Sequence, residues 1–183
     1  MTVAGLDSSG PDYAFIGVIV GEEGALKSLH RAVRGGRRRI HMRRLGRRAR
    51  REVAARFLEE VARAGSSIQA LSIRTGVAEA LAGARARAPY APSSMLRRRC
   101  LRLLGLLIWN VLRDRGVRRV RCDWELMEVF ALASIRVEGP DYAVELADVI
   151  AWLNLRGWRS GPPLAKLDLS KALAEGLLRE VRR

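Results

Sequence analysis

Cysteine, lysine and aromatic residues are all scarce in this chain of 183 residues. Its two cysteines, Cys100 and Cys122, cannot build a disulfide framework, and their apolar surroundings mark them as buried thiols rather than a disulfide or a metal pair. An aromatic content of 5% argues against an array of base-stacking platforms. No apolar run is long enough to span a bilayer, and no basic leader precedes an apolar segment and cleavage site. A cytoplasmic protein with no membrane partner is therefore expected.

Lysine is missing where basic charge is abundant. Only Lys27, Lys166 and Lys171 stand among 34 basic residues, the net charge is +15 and the pI is near 11.4. Arginine's planar, bidentate fork suits phosphate, which points to a polyanionic partner, although a GC-rich genome or heat can also favour arginine. Eleven arginines fall between Arg31 and Arg51, and so dense a run repels itself unless anions lie against it.

Hydropathy patterning predicts one α/β domain. Val3 to Leu6 and Tyr13 to Val20 are apolar runs joined by the turn chemistry of Ser8-Ser9-Gly10-Pro11, so a β-hairpin opens the sheet with Asp7 at the tip of its first strand. Ala25 to Val33 is a short helix, Arg39 to Met42 a brief strand, and Leu45 onward a helix stopped by Gly65. Ser67 to Arg74 alternates as a strand, and Gly76 to Ala86 is a weak helix ended by Pro89 and Pro92. Met95 to Arg113, with Ser93 or Ser94 as its cap, carries the broadest apolar face, which suggests burial against a sheet. Val117 to Trp124 and Ala131 to Val137 read as strands. Helices follow from Tyr142 to Leu155 and from about Asp168 or Ser170 to Val181, across a joint at Gly157, Gly161, Pro162 and Pro163. His30 is assigned to the surface of its helix, and Trp152 and Trp158 to packing at that joint; Trp124 suits either the core or the edge of a groove.

The seven aspartates divide by surroundings. Asp12, Asp114, Asp141 and Asp168 sit at turns or helix ends, where the residue is ordinary. Asp7 and Asp123 instead end strands, and Asp148 interrupts an apolar helix, with Glu145 three residues earlier on the same face. Asp7 could simply cap its turn. Gathering four such carboxylates is unfavourable, since one like-charge pair at ~4 Å costs about 4 kcal/mol at an effective dielectric of 20. A divalent cation reverses that sign, and oxygen-only donors suit Mg²⁺ or Mn²⁺.

The Asp-Ser-Ser-Gly at 7 to 10, the Phe15 to Val20 strand, Ile40-His41, the Asp123 strand end and the Glu145-Leu146-Ala147-Asp148 helix together resemble the ribonuclease H-like (retroviral integrase-like) superfamily. More narrowly they resemble its branch opening with Asp-x-Ser-Gly and closing with a Leu-Ala-Asp helix. The likeness spans roughly residues 3 to 157. It implies a mixed β-sheet flanked by α-helices, read here as a domain over residues 1–160; residues 161–183, outside the likeness, are expected as an additional C-terminal helical extension packed on the same domain. By position it implies that Asp7, Asp123 and Asp148 bind Mg²⁺ or Mn²⁺ for cleavage of nucleic acid. Relatives often carry Glu where this chain has Ser8, which leaves Glu145 to supply a fourth carboxylate.

Those expectations define a metal-dependent nuclease acting on DNA or RNA, single strands among its substrates, exonucleolytic before endonucleolytic. His41 would orient or protonate beside the acids, or else touch phosphate only within an arginine-rich groove. Arg37, Arg38, Arg39, Arg43, Arg44 and Arg47 would clasp the backbone of the strand. Two alternatives stand beside it: a binder of nucleic acid that keeps the fold without hydrolysis, and a basic structural subunit of an assembly.

Overall fold

The computed structural model describes residues 1–155 and 164–181. Five strands form one mixed sheet in the order β4-β1-β2-β3-β5: β1 (Thr2–Ser9), β2 (Phe15–Glu22), β3 (Ile68–Arg74), β4 (Arg119–Cys122) and β5 (Leu164–Asp168). β1, β2 and β3 are antiparallel neighbours, whereas β4 runs parallel to β1 and β5 parallel to β3. Among the described residues seven α-helices cover its faces: α1 (Glu23–Arg34), α2 (Arg47–Ala64), α3 (Val77–Arg87), α4 (Ser93–Arg113), α5 (Trp124–Leu132), α6 (Tyr142–Leu155) and α7 (Ser170–Val181). Among the described residues no helix is long and apolar enough to cross a membrane.

Alternation along the central strands splits the core in two. Ala4, Leu6, Ile16 and Val18 face α3, α4, α5 and α7, where Leu96, Leu104, Ile108 and Phe130 are fully buried. Val3 and Ile19 face the other way, onto α6, with α1 and α2 outside it. The stripe Leu26, Leu29, His30 and Val33 of α1 and the stripe Val53, Phe57 and Val61 of α2 have the spacing a buried helix face requires. Both cysteines are free and buried, and burial pushes each thiol up to about 12.

α6 lies against the sheet more closely than ordinary side chains permit. A Cβ at Gly5 would overlap the Ala143 carbonyl, and one at Gly17 would overlap the Ala147 carbonyl and stand 2.7 Å from the Ala151 nitrogen. Two glycines on adjacent strands, meeting Ala143, Ala147 and Ala151 at four-residue intervals, thus allow backbone to approach backbone. Gly17 is also the residue opposite Asp7 in the β1–β2 register.

Three local expectations are corrected. Arg39 to Met42 is not a strand: it leads into a 3₁₀ turn at Met42–Arg44, and its backbone N–H groups bond carboxylates of α6 instead of a neighbouring strand. Ala131 to Val137 is not a strand either, because α5 begins directly after β4 and runs to Leu132, leaving a single bridge between Arg121 and Glu138 beside β4. His30 is buried rather than on the surface. β5, an exposed edge strand, is an element the hydropathy reading did not resolve. The expected boundary at 160/161, the Gly157 to Pro163 joint and Trp158 lie outside the described residues.

Candidate metal centre

β1 and β4 run parallel, so their carboxyl ends open on the same edge of the sheet. Asp7 projects from β1 toward the α6 side, opposite the side that takes Leu6. Asp123 follows the last residue of β4, and its carboxylate has two tasks: Oδ1 accepts the Leu126 N–H at 2.9 Å, capping α5, and Oδ2 accepts from Ser8 N–H at 3.2 Å and Ser8 Oγ at 2.8 Å. Asp148 enters from α6 one turn beyond Glu145, and its Oδ2 accepts the Met42 N–H at 2.8 Å.

The three aspartates meet electrostatically. Burial, most of all, together with the charges of Asp148 and Asp123 and a hydrogen bond shared with Asp123, and against the opposing charge of Arg43, leaves the Asp7 carboxyl raised to about 9. In the protein without a cation Asp7 therefore holds a proton at neutral pH.

Glu145 goes elsewhere. Its Oε2 is bonded by the Ile40 N–H and by His30 Nε2, each at 2.8 Å. Burial raises this carboxyl, but His30, the Ile40 N–H and Arg39 outweigh burial and hold it below the usual carboxylate range. Glu145 and Asp148 thus pin alternate N–H groups of one extended segment, Ile40 and Met42. His41, between them, points out: it is 48% exposed, and its Nδ1 lies 3.1 Å from Asp148 Oδ2.

A fourth carboxylate near the strand tips comes instead from Glu125, whose Oε2 lies 3.2 Å from Ser8 Oγ. Its signal was present in the sequence as Asp123-Trp124-Glu125-Leu126, an N-cap followed by an acid in the first helical turn. Trp124 in the same turn is 70% exposed, beside Asp123 rather than in the core.

No family model, curated protein or solved structure matches this chain.

The arginines are dispersed around this edge. Arg43 is close enough to lower the Asp7 carboxyl and Arg39 close enough to lower Glu145. Arg37 is paired with Glu52 at 3.2 Å, while the backbone carbonyl of Arg38 receives Arg34. Arg38, Arg39, Arg43, Arg44 and Arg47 are exposed.

Among the described residues no three His, Cys, Asp or Glu side chains are already spaced to hold a metal ion. Asp123 is instead bonded to Ser8 and to the first turn of α5, and Asp148 to Met42. Carboxylate oxygens are the donor type that suits a hard divalent cation such as Mg²⁺ or Mn²⁺, and the Arg43 charge beside Asp7 opposes one.

Proposed function

We propose that this protein is a metal-dependent nuclease of the ribonuclease H-like kind, hydrolysing phosphodiester bonds of DNA or RNA. The observation that supports the reading is that the charges of Asp148 and Asp123, far away in sequence, both act on the half-buried Asp7. A mixed sheet with one acid two residues inside the carboxyl end of β1, one just past β4 and one on a late helix agrees with that architecture. A basic structural subunit would leave these acids scattered.

Asp7, Asp123 and Asp148 would hold Mg²⁺ or Mn²⁺, and Glu125, reached through Ser8, extends the acidic edge. The ions would supply an activated water and charge stabilisation at the leaving oxygen. His41, exposed with its Nδ1 3.1 Å from Asp148 Oδ2, would carry a proton to or from the reacting phosphate. Arg43, Arg44 and Arg47 offer bidentate donors to the backbone of the strand, and contacts of that kind position a substrate without reading its sequence. Glu145 and His30 hold the segment that presents His41.

Purified protein should degrade an end-labelled strand with Mg²⁺ or Mn²⁺ and leave it intact in EDTA, and Asp7→Asn or Asp123→Asn should abolish cleavage. One observation favours a second reading, a binder without hydrolysis: Ser8 occupies the place where relatives of this branch often carry Glu. That reading predicts salt-sensitive binding and no cleavage with either metal.

A further inference from the structure

A cavity of about 560 Å³ opens between α2 and α6, walled by Trp152, Leu153, Ala54 and Ala55 and rimmed by arginines at 47, 50 and 51. It lies outside the acid cluster but is built from the same parts. Trp152 follows Asp148 by four residues, one helical turn or about 6 Å along α6. Arg50 donates to the Leu45 carbonyl at 2.7 Å and the Arg43 carbonyl at 3.1 Å, fastening the segment whose Met42 N–H is bound by Asp148.

Its chemistry is divided. The floor is apolar and aromatic, of the kind that accepts a planar ring. The rim is cationic, and Arg47 and Arg51 have no carboxylate partner among the described residues. The first turn of α2, which begins at Arg47, has no side-chain cap, so its backbone N–H groups also face an anion with favourable charge. An occupant must therefore join a flat, weakly polar ring to a negative group, and it must be small enough for the cavity.

We infer that this cavity receives one unstacked nucleobase of a single strand, with the adjoining phosphate on Arg47 and Arg51. A duplex keeps its bases stacked inside and cannot offer one, so the protein selects single strands. The inference rests on the proposed nucleic-acid partner and not on hydrolysis.

The test is binding in EDTA, by fluorescence anisotropy, of a short labelled oligothymidylate and of a strand of equal length and charge that lacks bases. Wild type should bind the oligothymidylate at least about fivefold more tightly, the span expected for one stacked base. Ala55→Phe, which fills the cavity from an exposed position of α2, should remove that preference and leave affinity for the baseless strand within about twofold; Trp152→Leu should do the same. Trp124→Ala should keep the preference, and an unlabelled duplex should compete weakly. Equal binding of the two strands by wild type would overturn the inference, as would a preference that survives Ala55→Phe or disappears only in Trp124→Ala. Because no cleavage is involved, a protein that binds in this way but never cuts would end the nuclease reading alone. One that cuts without any preference for bases would end only this inference.

Discussion

The Met42 N–H donates to Asp148 Oδ2 at 2.8 Å, which makes one residue both a member of the acid cluster and the anchor of the arginine-rich segment. Asp148→Ala orphans that donor and the His41 contact, while relieving repulsion on Asp7. Losing a hydrogen bond to a charged group costs about 1.5–3 kcal/mol. Asp148→Asn keeps an acceptor and relieves the same repulsion. In urea unfolding without metal, the Asn variant should therefore exceed the Ala variant by about 1 kcal/mol or more.

Asp7 gives the metal-free protein a specific pH dependence. Its carboxyl is raised from 3.8 to about 9, so between those values the folded state binds more protons than the unfolded one. Its stabilising contribution is complete below pH 3.8 and is lost as pH rises toward 9. Melting curves of wild type in EDTA should fall across that window relative to Asp7→Asn. Added Mg²⁺ should raise the wild-type midpoint at pH 8 and leave the variant nearly unchanged.

Gly17 sets how close α6 comes to Asp7. Gly17→Ala forces a Cβ into the Ala147 carbonyl, and overpacking of that kind costs about 1–3 kcal/mol. Cleavage should fall by more than the melting temperature implies, because the displaced helix carries Asp148. Gly24→Ala, where a Cβ within α1 meets nothing within 4 Å, is the control and should leave cleavage unchanged and the melting temperature no lower.

Sequence spacing assigns the fourth carboxylate to Glu145, which is occupied by Ile40 and His30, whereas Glu125 lies beside Ser8 near the ends of β1 and β4. Glu145→Ala should destabilise the fold by about 2 kcal/mol, since it strands the Ile40 N–H and His30, yet leave Mn²⁺ affinity within about twofold. Glu125→Ala should do the reverse, weakening Mn²⁺ binding with little change in unfolding.

Much of this architecture is legible in the sequence because period and punctuation agree. The opening hairpin, the Ile68–Arg74 strand and the helices α4 and α6 follow from alternation, apolar breadth and flanking glycine or proline. Asp7, Asp123 and Asp148 stand out because each is an acid among apolar neighbours. What misleads is a pattern with two physical origins. Ile40 and Met42 alternate with exposed His41 as in a strand, but the carboxylates that satisfy them lie more than a hundred residues away. Asp123 ends a strand and caps a helix at once, and taking it only as the former hides α5 and with it Glu125. His30 looks like an ordinary polar residue of a surface helix until its distant partner, Glu145, is known.

The most direct measurement is a Mn²⁺ titration of the purified protein at pH 7.5, with bound ion counted by electron paramagnetic resonance and proton release followed in a weakly buffered solution. A cation must displace the proton that Asp7 holds. The account predicts binding with close to one proton released for each protein that takes up metal, and neither binding nor release for Asp7→Asn. No Mn²⁺ bound by wild type, or undiminished binding by Asp7→Asn, would contradict it.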